Sequence, residues 1–218
     1  MYKPPFFRIE DAYLVPICLL VIIMIARSRY RKYKDTPLGQ YFFKGLFLRL
    51  LFCFFQVFIM AFYYGEGDTS LYYQVVLDMH KAVSDDPSFL RDIYTNLTLH
   101  TTDRIYPYFQ YDELGFTHYF ILSSNNYMVP RFGLLFSLLF GQSYLCIGLC
   151  ISFFAFAGCW RMFKMFYTLY PHLHKKLAIA FLFLPSVLFW GVSLLKDSIC
   201  LGALGIRIYA LFQIFHKK

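Results

Sequence analysis

The pentad Gly65-Glu66-Gly67-Asp68-Thr69 places two carboxylates directly after an apolar run that ends Ala61-Phe62-Tyr63-Tyr64. Where such a run leaves a bilayer, a carboxylate is costly to desolvate and meets both water and the head group of any lipid-linked molecule. Glu66 and Asp68 are therefore candidates for chemistry before they are candidates for architecture. A carboxylate there can act as general base on an acceptor hydroxyl. Asp68 is equally suited to cap a helix starting at Thr69, and the two roles are compatible. For Glu66 taken alone, a solvated loop carboxylate is the simpler reading.

A second constellation is Leu184-Pro185-Ser186-Val187-Leu188-Phe189-Trp190-Gly191-Val192-Ser193-Leu194-Leu195-Lys196-Asp197-Ser198. Pro185 should kink a membrane span, and the Lys196-Asp197 pair at its far turn presents a cation on the same side as Asp68. Lys196 suits a phosphate as a point charge. The plainer alternative is a snorkelling Lys196 and an Asp197 that caps the next helix. Arg207 lies midway along the last apolar stretch, where it must face protein or a polar cavity, or snorkel to the cytoplasmic side. Among the aromatics of the polar segment, Tyr72 and Tyr73 suit sugar stacking as well as a helix pressed on a membrane surface. His80, His100 and His118 with Asp78, Asp103 and Asp112 follow no ligand spacing and read as solvated loop residues. No cofactor is called for, and a divalent metal stays open. Gly-rich phosphate loops, HExxH and GxSxG patterns are absent.

The elements that must position these residues are membrane helices. With 59% hydrophobic and only 16% charged residues in 218 positions, the apolar surface exceeds what one soluble core can hide. Spans are expected over about residues 12–26, 41–62, 144–160, 177–192 and 198–215, giving an all-α polytopic protein in a single membrane domain. The net charge of +8 comes from basic residues that flank the spans, so it signals topology and not nucleic acid. Arg27, Arg29, Arg31, Lys32 and Lys34 form the strongest cluster and should be cytoplasmic, with Lys44 and Arg49 near that end of the second span. Arg161, Lys164, Lys175 and Lys176 mark a later cytoplasmic loop. The N-terminus is then outside and the C-terminus inside.

Residues 63–131 form an acidic outer loop. Within it, Thr69 to Val83 has the spacing of an amphipathic helix, and a second short helix is expected around Ser88 to Leu99. The apolar stretch from Phe132 to Trp160 is too long for one untilted span and is interrupted at Gly141-Gln142-Ser143, so Phe132 to Phe140 reads as a re-entrant or interfacial piece. The basic cluster follows the first apolar stretch, which rules against a cleavable signal peptide. All six cysteines fall within or beside apolar runs and read as buried thiols.

An outer loop opening with Gly67-Asp68-Thr69 and tyrosines, followed by the pattern P-S-x-x-F-W-x-x-x-x-x-K-D-S from Pro185 to Ser198, resembles bacterial multi-pass polysaccharide proteins. These are the GT-C-type glycosyltransferases and the EpsG-like and O-antigen-polymerase-like proteins, and the similarity covers about Tyr63 to Tyr209. It implies a bacterial inner-membrane protein that transfers a sugar or glycan from a polyprenyl-phosphate or diphosphate carrier to an acceptor at the outer face. Asp68 or Glu66 would be the base, Lys196 with Asp197 and Arg104 or Arg131 would meet the donor phosphate, and Tyr72 and Tyr73 would hold the sugar. Such proteins usually have about eight or more spans, so a membrane partner completing the fold is expected alongside lipids and the lipid-linked substrate. Two rival readings are a non-catalytic membrane subunit of an export or polysaccharide assembly and, third, a lipid or glycan transporter, which should show paired broken helices in repeated halves.

Overall fold

The computed structural model describes residues 6–64, 67–95, 106–109 and 124–216, with the backbone alone for Tyr106, Ser124 and Asn125. Glu66, Arg104, His100, His118, Asp103 and Asp112 lie outside the described residues. The described residues form helices and no strand, and five helices are long and apolar enough to cross a membrane. The chain is an all-α, multi-pass membrane protein. Its first helix, α1, is Asp11–Tyr30, and α2 is Gly39–Ile59, prolonged by a π turn over Met60–Tyr64. Then come α3 (Asp68–Asp85), α4 (Phe89–Thr95), a 3-10 turn over Tyr106–Phe109 and α5 (Ser124–Phe140). The last part comprises α6 (Tyr144–Leu169), α7 (His174–Ala178) with a π turn over Ile179–Phe183, α8 (Pro185–Trp190) and α9 (Lys196–His216).

The five long apolar helices overlap the expected spans, with the fourth beginning at Pro171 and the largest difference at one end of α6. That helix does not stop at Trp160 but continues through Arg161 and Lys164 to Leu169. Arg, Met and Lys are good helix formers, and the long stems of Arg161 and Lys164 lie along aromatic surface, so the charges do not end the helix. At about 1.5 Å per residue, α6 runs roughly 39 Å, longer than the roughly 30 Å hydrocarbon core.

The piece expected from Phe132 is also longer. It begins at Ser124, so Arg131 lies on a helix and not at the end of a loop. Tyr127, Val129 and Leu134 are buried along it, and this packing overrides the weak helical signal of the polar Asn125-Asn126 start. The interruption at Gly141-Gln142-Ser143 is a true turn: Gly141 has φ 65, and Ser143 caps α6 by accepting from the Cys146 N–H at 3.2 Å. The Ser143 hydroxyl also donates to Asp11 Oδ1 at 2.5 Å, which ties the start of α1 to the start of α6.

Helix α6 is the hub. Most of it is buried, between α1, α2, α5 and α9. Its crossing with α9 is made by glycines: a Cβ on Gly158 would lie 2.5 Å from Gly202 O, and one on Gly205 would meet the Gly158 backbone. Large apolar side chains on the outer faces, such as Leu20 and Met24 of α1, Phe47 and Phe58 of α2 and Leu211 of α9, stay exposed, as a lipid environment requires. A smaller core joins Val75, Met79 and Ala82 of α3 to Phe89 and Ile93 of α4, Phe109, and Tyr127 and Leu134 of α5.

The fourth span is broken at Pro185. Leu184 is extended, Pro185 opens α8 at the position where its missing N–H is harmless, and the preceding turn widens to π geometry. Residues 191–195 then run without helix, yet Gly191, Val192, Ser193 and Leu194 are all buried. Ser193 holds the left-handed conformation at φ 62, its N–H donates to Ser152 Oγ at 2.9 Å, and its hydroxyl pairs with Tyr144 OH at 2.8 Å. Irregular backbone at this depth is tolerated because neighbouring helices satisfy its polar groups.

Candidate functional site

At the end of the bundle where α2 finishes and α3 and α9 begin, the fold leaves a cavity of about 410 Å³. Met60 and Tyr64 close α2 on one side, Trp190 and Leu195 frame the other, and Asn126 comes from α5. Asp68, Tyr72, Lys196 and Asp197 line the same space. Residues from distant parts of the sequence thus meet in a volume within the range of small-molecule sites.

The local folding explains their placement. Gly67, with φ 141 and ψ −177, occupies a region open in practice only to glycine, and its carbonyl accepts the first bonds of α3 from Ser70 and Leu71. Gly67 is therefore the N-cap, and Asp68 is the first helical residue. The capping role expected for Asp68 is not the one it holds: its carboxylate is exposed in the first turn, where the helix dipole favours negative charge. Lys196 and Asp197 likewise open α9, so Asp197 also sits in a first turn. Among the described residues, neither Asp68 nor Lys196 makes an ion pair or a side-chain hydrogen bond, and both are exposed to the cavity mouth. Two helix N-termini and one ammonium face this space together with the Asp68 and Asp197 carboxylates, so groups of both signs meet in it.

Tyr72 is buried, and burial, reinforced by Asp68 and Asp197, pushes its hydroxyl up to about 12. It stays a neutral phenol beside two carboxylates, and its ring forms a wall of the cavity. Tyr73 points elsewhere: its hydroxyl donates to Gln142 O at 2.6 Å and its ring packs on Phe6 and Tyr144. Arg131 is also apart from the cavity. Its guanidinium is buried over the rings of Tyr127 and Tyr94, at 5.0 and 5.7 Å, and its carbonyl accepts from Tyr94 OH at 2.6 Å. Arg207 is exposed on the outer side of α9.

Trp190 belongs to the pattern from Pro185 to Ser198, whereas nothing in the sequence marks Asn126. The part played by Arg49 was not singled out either: the residue does not sit at a membrane boundary but is 1% exposed inside the bundle. Its Nη1 donates to Gly191 O at 2.7 Å and its Nη2 to Cys159 Sγ at 3.3 Å. Gly191 ends α8, so the guanidinium meets the negative end of that helix and fixes the backbone five residues before Lys196. A Cβ on Gly191 would run into the Val187 carbonyl oxygen of the backbone and would stand 2.6 Å from Arg49 Nη1, so this position suits glycine. The available signal was helical phase: Lys44, five residues earlier, faces outward, and five residues turn a helix about 140°.

Farther along α3, Asp78 accepts from Gln74 Nε2 at 2.9 Å through Oδ1, while its buried Oδ2 has no partner among the described residues. Burial raises its carboxyl from 3.8 to about 7, against smaller opposing effects of Gln74 and Lys81. The folded protein holds that proton where the unfolded chain has lost it, so stability should fall as the pH rises from about 4 to about 7. Thermal unfolding in detergent across that window should show the slope, and Asp78→Asn should flatten it. His80, read as a loop residue, is half-buried in the same helix and bonds Ser137 Oγ at 3.1 Å. Burial, and next the charge of Arg8, lower its pKa.

Compared with known protein families, with curated proteins and with solved structures, the chain matches none.

Proposed function

We propose that the cavity at the start of α3 and α9 transfers a sugar or glycan from a polyprenyl-phosphate or diphosphate carrier to an acceptor hydroxyl. The observation that carries this reading is the meeting of an accessible carboxylate, Asp68, with an accessible ammonium, Lys196, in one cavity at a membrane end of the bundle. The orientation that goes with it is that end outside, in a bacterial inner membrane, as the basic clusters at the opposite end imply.

The step is a displacement at the anomeric carbon. The acceptor oxygen forms the new bond to that carbon as its proton passes to the Asp68 carboxylate. The bond from the anomeric carbon to the phosphate oxygen breaks, and its electron pair leaves with the phosphate. Lys196 and the free N–H groups at the start of α9 stabilise the growing phosphate charge. Tyr72, kept neutral, holds the sugar with its ring beside the two carboxylates. Arg131, held in its tyrosine cage, takes no part. Arg49 acts through Gly191 and is a positioning residue.

The test is transfer from a radiolabelled polyprenyl-phosphate sugar in membranes that contain the protein. Lys196→Gln should raise the donor KM about tenfold or more with protein abundance unchanged, and Lys196→Arg should recover part of the loss, because the charge survives but its shape differs. Membranes with abundant, folded protein and no transfer to any acceptor would instead favour a non-catalytic subunit of an assembly.

A further inference from the structure

At the opposite end of the bundle, between the last turn of α1, the start of α2 and the middle of α6, lies a second cavity of about 200 Å³. Arg29, Arg161 and Lys164 converge on it, with Trp160 and Tyr33 among its walls. Lys164 Nζ donates to Tyr33 OH at 3.0 Å and lies 4.4 Å from the centre of the Tyr209 ring, so the ammonium is held in place by aromatics and not by a carboxylate. Among the described residues, Arg161 bonds only the Ala157 carbonyl of its own helix, at 3.1 Å. Among the described residues, none of the three cations has an acidic partner.

Three like charges gathered without a counter-ion repel one another, and an anion from outside relieves that repulsion. Trp160 is 4% exposed, and its ring forms a wall against which the cations gather. The remaining walls, Ile25, Phe42, Phe153, Phe156 and Ala157, are apolar. An oxyanion flanked by hydrocarbon fits this mixture, and basic pockets between membrane helices take phosphate head groups.

We propose that this cavity is a phosphate-binding site, with Arg29, Arg161 and Lys164 as its cationic ligands. The phosphate is that of an anionic phospholipid whose chains run along Ile25 and Phe153, or a soluble phosphate entering from the water side. The site is independent of the transfer reaction at the other end of the bundle.

The test uses the full chain purified in detergent and exposed to vesicles of phosphatidylcholine with or without phosphatidylglycerol, with retained lipid read by native mass spectrometry. The wild type should retain phosphatidylglycerol in preference to phosphatidylcholine, and Arg161→Gln with Lys164→Gln should weaken retention roughly tenfold or more. Should that pair fail to fold, Arg29→Gln, at an exposed helix end, should still weaken it severalfold. A parallel arm titrates inorganic phosphate in pure phosphatidylcholine and follows Trp160 emission in a Trp190→Phe background. A response there that the double variant lacks, without any phosphatidylglycerol preference, assigns the site to soluble phosphate. Retention equal in wild type and variants, with no response to inorganic phosphate, overturns the proposal.

Discussion

Asp68→Asn should abolish transfer, with a fall of roughly 10²- to 10⁴-fold in rate, while thermal unfolding in detergent stays within about 1 kcal/mol of wild type. The separation of the two effects follows from the start of α3. Were Asp68 the N-cap, Asp68→Ala would cost about 1 kcal/mol of stability and activity could suffer through folding alone. Gly67 holds that position, and Asp68 contributes only a first-turn charge to the helix dipole, so both Asn and Ala variants should fold. Loss of transfer in both would then belong to the carboxylate itself. An Asn variant with wild-type activity in membranes, against a polyprenyl-linked donor, would remove Asp68 as base and leave the cavity without its chemistry.

The membrane helices were legible because a span leaves a long, charge-poor run in the sequence, and the turn at Gly141-Gln142-Ser143 because glycine and a capping serine stand together. The helix of α3 was legible from its mixed three-and-four spacing. What escaped has a common cause, namely that depth and facing are tertiary properties. Arg49 carries the same charge as Lys44 and lies one and a half turns away, yet one faces outward and the other is sealed against Gly191. The start of α5 hid in a polar stretch because its helix is stabilised by what it packs against. Tyr72 and Tyr73 are neighbours in sequence and part ways in space, since adjacent residues on a helix point about 100° apart. One reaches the cavity and the other the turn before α6. Asn126 joins the cavity only because α5 starts beside it, and no local pattern announces that.

The ends of these helices are positioned in turn by the crossing of α6 and α9, which gives the largest expected effect on the fold. Gly158→Ala should destabilise the protein by about 1–3 kcal/mol, because overpacking at a close crossing cannot be relieved by a side chain moving aside. The added methyl would meet backbone on every near side: Gly202 O at 2.5 Å, Gly202 Cα at 2.7 Å and Leu201 O at 2.9 Å. The helices must separate. Gly45→Ala is the matched control, since its methyl would meet only side-chain atoms, from 3.3 Å outward, and should change stability little. The displacement also reaches the candidate site, as Lys196 and Asp197 open the helix that must move. Folded Gly158→Ala protein should therefore lose transfer more than its folded fraction explains, whereas Gly45→Ala should keep it. Denaturant unfolding in detergent measures the first effect, and transfer per folded molecule the second. Equal stability of Gly158→Ala and wild type would show that α6 and α9 do not approach so closely, and the placement of Lys196 beside Asp68 would fall with that contact.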